Sequence, residues 1–206
     1  LPAGHPRMML VHGDPGLGKT TAVDTLHLRY GGVYCVASST WSQRSMLEKL
    51  AGRLGVQIRT RDRVSDILEN VLTELERHRD TMIVIDEFDR LVHKPAIVEL
   101  IREIYDVSDV PVVMVGMGSI DRALGDIPQF PQRIGRRVEF RPLDLADARN
   151  VVSRLTDIRL TDDLTEHLWK KSKGITRLLV TEVAHVESIA AREGHESVGI
   201  KDIEAA

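Results

Sequence analysis

Apolar residues fall into two alternating kinds of run along the first two-thirds of the chain. Short, nearly unbroken runs cover 8–12, 33–37, 81–85 and 110–116, the pattern of strands covered on both faces. Between them apolar residues recur every three or four positions, as in helices packed on one side. The first helix is predicted from Lys19 to about Arg29, with Ala22, Val23 and Leu26 inward and Gly31-Gly32 as its stop. A polar turn over 38–42 leads to a helix over 43–54 with Met46, Leu47, Leu50 and Leu54 on one face, closed by Gly55. Asp62 suits the cap of the next helix, whose apolar positions are Val64, Ile67, Leu68, Val71, Leu72 and Leu75. Pro95 suits the first turn of another, with Ile97, Val98, Leu100, Ile101 and Ile104 available for packing. After Gly125 the chain reads as irregular to Phe130-Pro131, and 138–140 reads as a fifth short strand.

Strands alternating with helices imply an α/β fold, a parallel sheet with helices on both faces. Past Arg141-Pro142 only helical patterns remain, over 145–155, 162–171, 175–192 and a short stretch at 200–203. The expected division is an α/β nucleotide-binding domain over 1–141 and a small α-helical domain over 142–206. Composition changes little: 42% apolar and 29% charged residues are ordinary for a soluble protein. The net charge of −3 means that any basic surface must be local. The single cysteine, Cys35, lies in an apolar run and reads as a buried, inert thiol in a reducing cytoplasm. No stretch approaches the roughly 20 apolar residues of a membrane span, and no signal peptide is visible. The chain starts at Leu1 rather than Met, so a missing upstream segment is expected.

The chemistry begins at Gly13. Gly13-Asp14-Pro15-Gly16-Leu17-Gly18-Lys19-Thr20 fits the G-x-x-x-x-G-K-[ST] phosphate-binding loop at every fixed position, between a predicted strand and a predicted helix. Glycines let the backbone curl so that its N–H groups point at phosphate oxygens, and the helix adds its positive end. Lys19 can reach the β- and γ-phosphates, and the Thr20 hydroxyl is placed to ligate Mg²⁺. A second motif, Met82-Ile83-Val84-Ile85-Asp86-Glu87, carries two carboxylates to the C-terminal edge of a parallel sheet. Asp86 there suits the Mg²⁺ shell, and Glu87 suits the general base for a water attacking the γ-phosphate.

This order of motifs resembles the AAA+ ATPases over nearly the whole chain. The resemblance implies a P-loop sheet flanked by helices, a small α-helical lid, and hydrolysis of ATP with Mg²⁺. It implies a nucleotide-contacting set of Gly13, Asp14, Pro15, Gly16, Leu17, Gly18, Lys19, Thr20 and Thr21. It also implies a polar sensor after the fourth strand, where Ser119 is the nearest polar side chain although the family's Asn or Thr is absent. The segment from Gln129 to Arg137 resembles the arginine-finger region, with Arg133 as the finger and Arg136 as the next candidate. The alternative for three arginines this close is a solvated surface or a DNA-facing patch. Gly174-Ile175-Thr176-Arg177 resembles the lid's second sensor, which would bring Arg177 over the γ-phosphate; the alternative is a surface arginine.

Within that family the wording is similar to the phage Mu B-type and transposon target-selection ATPases. The similarity lies in His12 to Thr21, Ile85 to Asp89 and Phe130 to Ile134. It implies a homo-oligomer, ring or helical filament, assembled with ATP on double-stranded DNA without sequence preference. The assembly would recruit and stimulate a transposase in the cytoplasm of a bacterial or phage-infected cell, with no membrane partner. The arginines Arg59, Arg61 and Arg63, with Arg44 and Trp41 nearby, could contact DNA phosphates. Asp62 interrupts that run, so an ordinary solvated face fits it as well. Lys170, Lys171 and Lys173 read as the charged end of a lid helix. The rival functions are another ATPase of this fold, such as a helicase loader or secretion-associated ATPase, and a nucleotide-gated scaffold with little turnover.

Overall fold

The four apolar runs become the interior of one sheet. The structure, a computed structural model, describes residues 6–194 and 197–204. Its strands β1 (Met8–Gly13), β2 (Val33–Val36), β3 (Ile83–Asp86), β4 (Val112–Gly116) and β5 (Ile134–Phe140) lie in the order β2-β3-β4-β1-β5. The pairs β1–β4, β2–β3 and β3–β4 are all parallel. Helices α1 (Lys19–Tyr30), α2 (Gln43–Leu54), α3 (Val64–Arg77), α4 (Pro95–Ser108) and α5 (Ile120–Gly125) connect them. The chain divides into two compact units, one of residues up to Gly13 with Lys19–Glu139, the other of Asp14–Gly18 with the chain from Phe140 onward.

In the first unit one sheet face carries the main core. Met8, Leu10, Val33, Cys35, Ile83, Ile85, Val112 and Met114 pack with Met46, Leu47 and Leu50 of α2, Ile67, Val71 and Leu75 of α3, and Ile97, Ile101 and Ile104 of α4. Each fully buried aliphatic side chain here contributes about 1.5–3 kcal/mol, so truncating one in this tight interior removes a large part of ordinary domain stability. Burial also pushes the Cys35 thiol above its usual pKa. Helix α2 is closed at both ends. Ser42 and Ser45 bond each other's backbone N–H, and Gly55 takes a left-handed turn.

Several expectations from the sequence are corrected. The Asp62 carboxylate accepts the Arg59 N–H at 2.7 Å rather than capping α3. Helix α3 starts after Arg63, whose N–H is taken by Asp66 at 2.8 Å. On α1 only Val23 is buried; Ala22 is exposed, and Leu26 keeps 42% of its surface. The fifth strand starts four residues before its expected start at 138. Its side chains are mostly exposed, so the apolar pattern is weak there. Helix α5 occupies part of the stretch that carried no assignment.

The second unit contains α6 (Leu145–Leu155), α7 (Asp162–Ser172), α8 (Thr176–Glu193) and α9 (Ile200–Glu204). Ala148, Val152, Leu164, Leu168, Leu179, Val183 and Val186 form its core, and Trp169 Nε1 donates to the Leu143 carbonyl at 2.8 Å. It is not purely helical. A two-residue parallel ladder joins β6 (Arg159–Leu160) to β7 (Ser197–Val198). Among the described residues no helix is long and apolar enough to cross a membrane. Leu1 lies outside the described residues.

The turn from α1 into β2 gives a direct test. Gly31 and Gly32 have φ of 73° and 112°, but a Cβ on Gly31 would meet open space while one on Gly32 would lie 2.4 Å from the Met82 carbonyl oxygen. That oxygen accepts the Val33 N–H at 2.7 Å and helps start the β2–β3 pairing. Gly31→Ala is expected to cost about 1–2 kcal/mol, the left-handed penalty alone. Gly32→Ala should cost more, because backbone must also shift. Urea unfolding midpoints of the two variants check the order.

Candidate functional site

Parallel pairing puts the exits of β1, β3 and β4 on one edge of the sheet. Ile83 is in register with Val112, and Val112 with Met8. Carried along the strands, Asp86 stands level with Val11, two residues before Gly13. The β3 and β1 strands are separated by β4 alone, a span of about 10 Å. The carboxylate of β3 and the loop leaving β1 therefore share one edge, where α/β sheets take ligands.

Asp86 is only 5% exposed. Its Oδ1 accepts the Glu87 N–H at 2.8 Å, and its Oδ2 accepts the Tyr34 hydroxyl at 2.7 Å. Among the described residues no lysine or arginine pairs with it. A buried carboxylate compensated only by neutral donors is costly, and a hard divalent cation is the partner such oxygens fit. Thr20, exposed at the start of α1, offers a hydroxyl of the same ligand type. This donor set fits Mg²⁺. Desolvation first, then the hydrogen bond to Asp86, raises the Tyr34 phenol well above its ordinary pKa, so it remains a donor.

Glu87 leaves the strand in the left-handed region, φ 56° and ψ 36°, which is strained for a side chain with a Cβ. The bend turns its carboxylate outward, half-exposed, to 3.5 Å from Arg90. Arg90 in turn donates to the Ala37 carbonyl at 3.2 Å. Asp89 reaches the exit of β4, where its Oδ1 accepts the Met117 N–H at 3.1 Å. Ser119 follows, exposed, at the start of α5 and makes no capping bond. Lys19 Nζ donates to the Gly13 carbonyl at 2.7 Å.

The loop crest Asp14–Gly18 packs with its own unit at the start of α8. Arg177 N–H, one of the helix's unpaired first-turn donors, bonds the Gly16 carbonyl at 2.9 Å. The Thr176 hydroxyl donates to the Leu17 carbonyl at 3.2 Å. Gly16 has φ 83°, which favours glycine, and a Cβ there would also press on Ile175 Cγ2 at 3.1 Å. The crest and the Gly174–Arg177 segment, remote in sequence, are thus neighbours. Asp14 and Gly16 flank Pro15 there, while Thr21 is exposed on the first turn of α1.

The arginines are placed less uniformly. Arg133 forms a two-point pair with Asp106 of α4, Nε to Oδ1 and Nη2 to Oδ2 both at 2.7 Å, and also donates to the Gln129 carbonyl at 2.6 Å. That hydrogen bond holds the Asp106 carboxyl below the usual carboxylate range. Arg137 pairs with Asp121 at 2.7 Å, while Arg136 is exposed. Arg44 is engaged within the fold, donating to Glu48 and to the Asp62 carbonyl at 2.7 Å each. Arg59, Arg61 and Arg63 are exposed, and Arg59 joins Arg44 around an open pocket of about 560 Å³. Tyr34 and Asp106 escaped the sequence reading. For Tyr34 a signal existed, a polar tip inside an apolar strand.

Comparison with known proteins agrees with this geometry. Residues 3–124, over half of the chain, match the family model described as AAA domain. The chain is 28% identical over 135 residues to a potential ATP-binding protein of Staphylococcus aureus, covering 61% of this chain and 49% of that protein. It is 27% identical over 209 residues to the Holliday junction branch migration complex subunit RuvB of Rickettsia africae, covering 92% and 54%. The structure of the Aeropyrum pernix ORC1 protein in complex with DNA superposes with a TM-score of 0.68 at 20% identity, covering 97% of this chain and 58% of that one. The chain spans about half the length of these curated relatives. A P-loop sheet with this strand order and a match over that span place it: the chain belongs to the AAA domain family.

Proposed function

We propose that this chain binds ATP with Mg²⁺, hydrolyses it, and works as a homo-oligomer on double-stranded DNA. The observation that carries the reading is Asp86, a buried carboxylate that no lysine or arginine among the described residues pairs with, on the edge from which the Gly13–Thr20 loop departs. In this reading residues 1–141 are the nucleotide domain and 142–206 the lid. Loop N–H groups and Lys19 hold the phosphates, while Thr20 and Asp86 hold the Mg²⁺. Bound there, Mg²⁺ would supply charge neutralisation to the phosphates. Glu87 accepts the proton of the attacking water, Ser119 serves as the sensor hydroxyl, and Arg177 covers the γ-phosphate from α8. Arg133 of a neighbouring copy completes the site, for which it must leave Asp106.

DNA enters from the relatives, one solved with DNA and one named for Holliday junction branch migration. Arg59, Arg61 and Arg63 are the proposed phosphate contacts, since Arg44 is already engaged. The finer reading is DNA transposition, with ATP-dependent target capture and recruitment of a transposase in the bacterial cytoplasm. Its support is the wording of the three motif segments around Gly13, Asp86 and Arg133.

A duplex gel shift without nucleotide, with ADP and with a slowly hydrolysed ATP analogue tests the function. Retention only with the analogue, weakened by salt and by alanine at Arg59, Arg61 and Arg63, is expected. Equal binding in all three states would refute the nucleotide-gated reading. Glu87→Gln should keep ATP binding and lose turnover, whereas Lys19→Ala should lose binding; wild-type turnover in Glu87→Gln sinks the base assignment.

The Arg133–Asp106 pair predicts a pH dependence. Asp106 is depressed in the folded state, so its stabilisation is present above the unfolded carboxylate value of about 3.9 and is lost as pH falls through the folded one. The pair is partly exposed, so Asp106→Asn should cost less than about 1 kcal/mol at neutral pH. Thermal melts of variant and wild type should converge in acid.

A further inference from the structure

The Asp86 carboxylate is held from two sides of different origin. The Glu87 N–H on Oδ1 is local, a product of the backbone bend at the end of β3. The Tyr34 hydroxyl on Oδ2 comes from β2, 52 positions earlier in the chain. Register explains the reach. Tyr34 pairs with Val84 and Val36 with Asp86, so Tyr34 and Asp86 are diagonal neighbours on one sheet face. The tyrosine ring also meets His27 of α1, with centroids 5.6 Å apart and planes tilted by 39°. Helix α1 is also the element that opens with Lys19 and Thr20. One phenol thus ties the helix carrying those residues to the carboxylate on β3.

A buried tyrosine hydroxyl ordinarily finds some acceptor, and that alone implies nothing. Here the acceptor is the buried carboxylate whose free lone pairs the site offers to a cation, and Tyr34 is its one side-chain donor among the described residues. A carboxylate fixed at Oδ1 alone keeps a broad torsion about its last bond. The second bond removes that freedom. Outer partners of this kind are worth about 10–100-fold in metal affinity or activity.

We propose that Tyr34 is a positioning residue for the cation site, orienting Asp86 so that the contribution of Mg²⁺ to nucleotide affinity depends on the Tyr34 hydroxyl. This rests on the reading of the site as one for nucleotide with Mg²⁺. The test is direct binding of a slowly hydrolysed ATP analogue by calorimetry, in EDTA and across a Mg²⁺ titration, for wild type, Tyr34→Phe, Asp86→Asn and the double variant. Tyr34→Phe retains the ring and its packing on His27, and a thermal melt verifies the fold. Its affinity in EDTA should stay within about twofold of wild type, while the Mg²⁺ midpoint rises about tenfold. In the Asp86→Asn background the same change should have no further effect. A purely structural tyrosine would shift both affinities alike or neither. A wild type that responds to Mg²⁺ with an unchanged midpoint in Tyr34→Phe overturns the role of Tyr34 and leaves the site reading intact. A wild type that binds no nucleotide, or binds it without regard to Mg²⁺, overturns both.

Discussion

Burying a carboxylate costs several kcal/mol unless something compensates, and the end of β3 is built around that cost. Asp86 closes an interior strand of the sheet, with β2 on one side and β4 on the other, and is buried. The strand must therefore end there. It does so through a left-handed residue, Glu87, which supplies one hydrogen bond as it turns away. The neighbouring strand supplies a tyrosine where an aliphatic residue would pack as well. A sheet optimised for stability alone would place valine or isoleucine at Asp86 and dispense with both arrangements. Strain and a buried carboxylate on one sheet edge are the combination expected where a fold serves function rather than stability.

Much of this was legible in the chain because it is local. The phosphate loop is a contiguous string, and the strands of a parallel sheet announce themselves as unbroken apolar runs. The failures have a common physical origin. Helix α1 buries Val23 and leaves Leu26, Leu28 and Tyr30 exposed, so periodicity assigned it a wider inward face than it has. Strand β5 has few buried positions to betray it, and β6 with β7 is too short to carry any period. Asp62 looked like a cap because its type suits one. Its carboxylate instead closes a turn on the Arg59 N–H, and the helix begins after Arg63.

The side-chain partnerships were the least legible, since they join positions that only the fold brings together. Arg133 meets Asp106 across 27 residues, and Tyr34 meets Asp86 across 52. An arginine in a motif looks free in the sequence. In the folded chain its planar fork matches a carboxylate so well that two parallel bonds form. Arg44 shows the same behaviour with Glu48 and the Asp62 carbonyl. The exposed arginines Arg59, Arg61, Arg63 and Arg136 are the ones that composition could not separate from these.

The bond from Lys19 to the Gly13 carbonyl has a thermodynamic consequence of its own. With three N–H donors, an ammonium held by one backbone oxygen can meet an anion without giving that oxygen up. The bond instead restricts the rotamers of a long side chain, whose ordering otherwise costs up to about 2 kcal/mol. A ligand that binds there meets a side chain already placed, and the cost of placing it falls on folding rather than on binding.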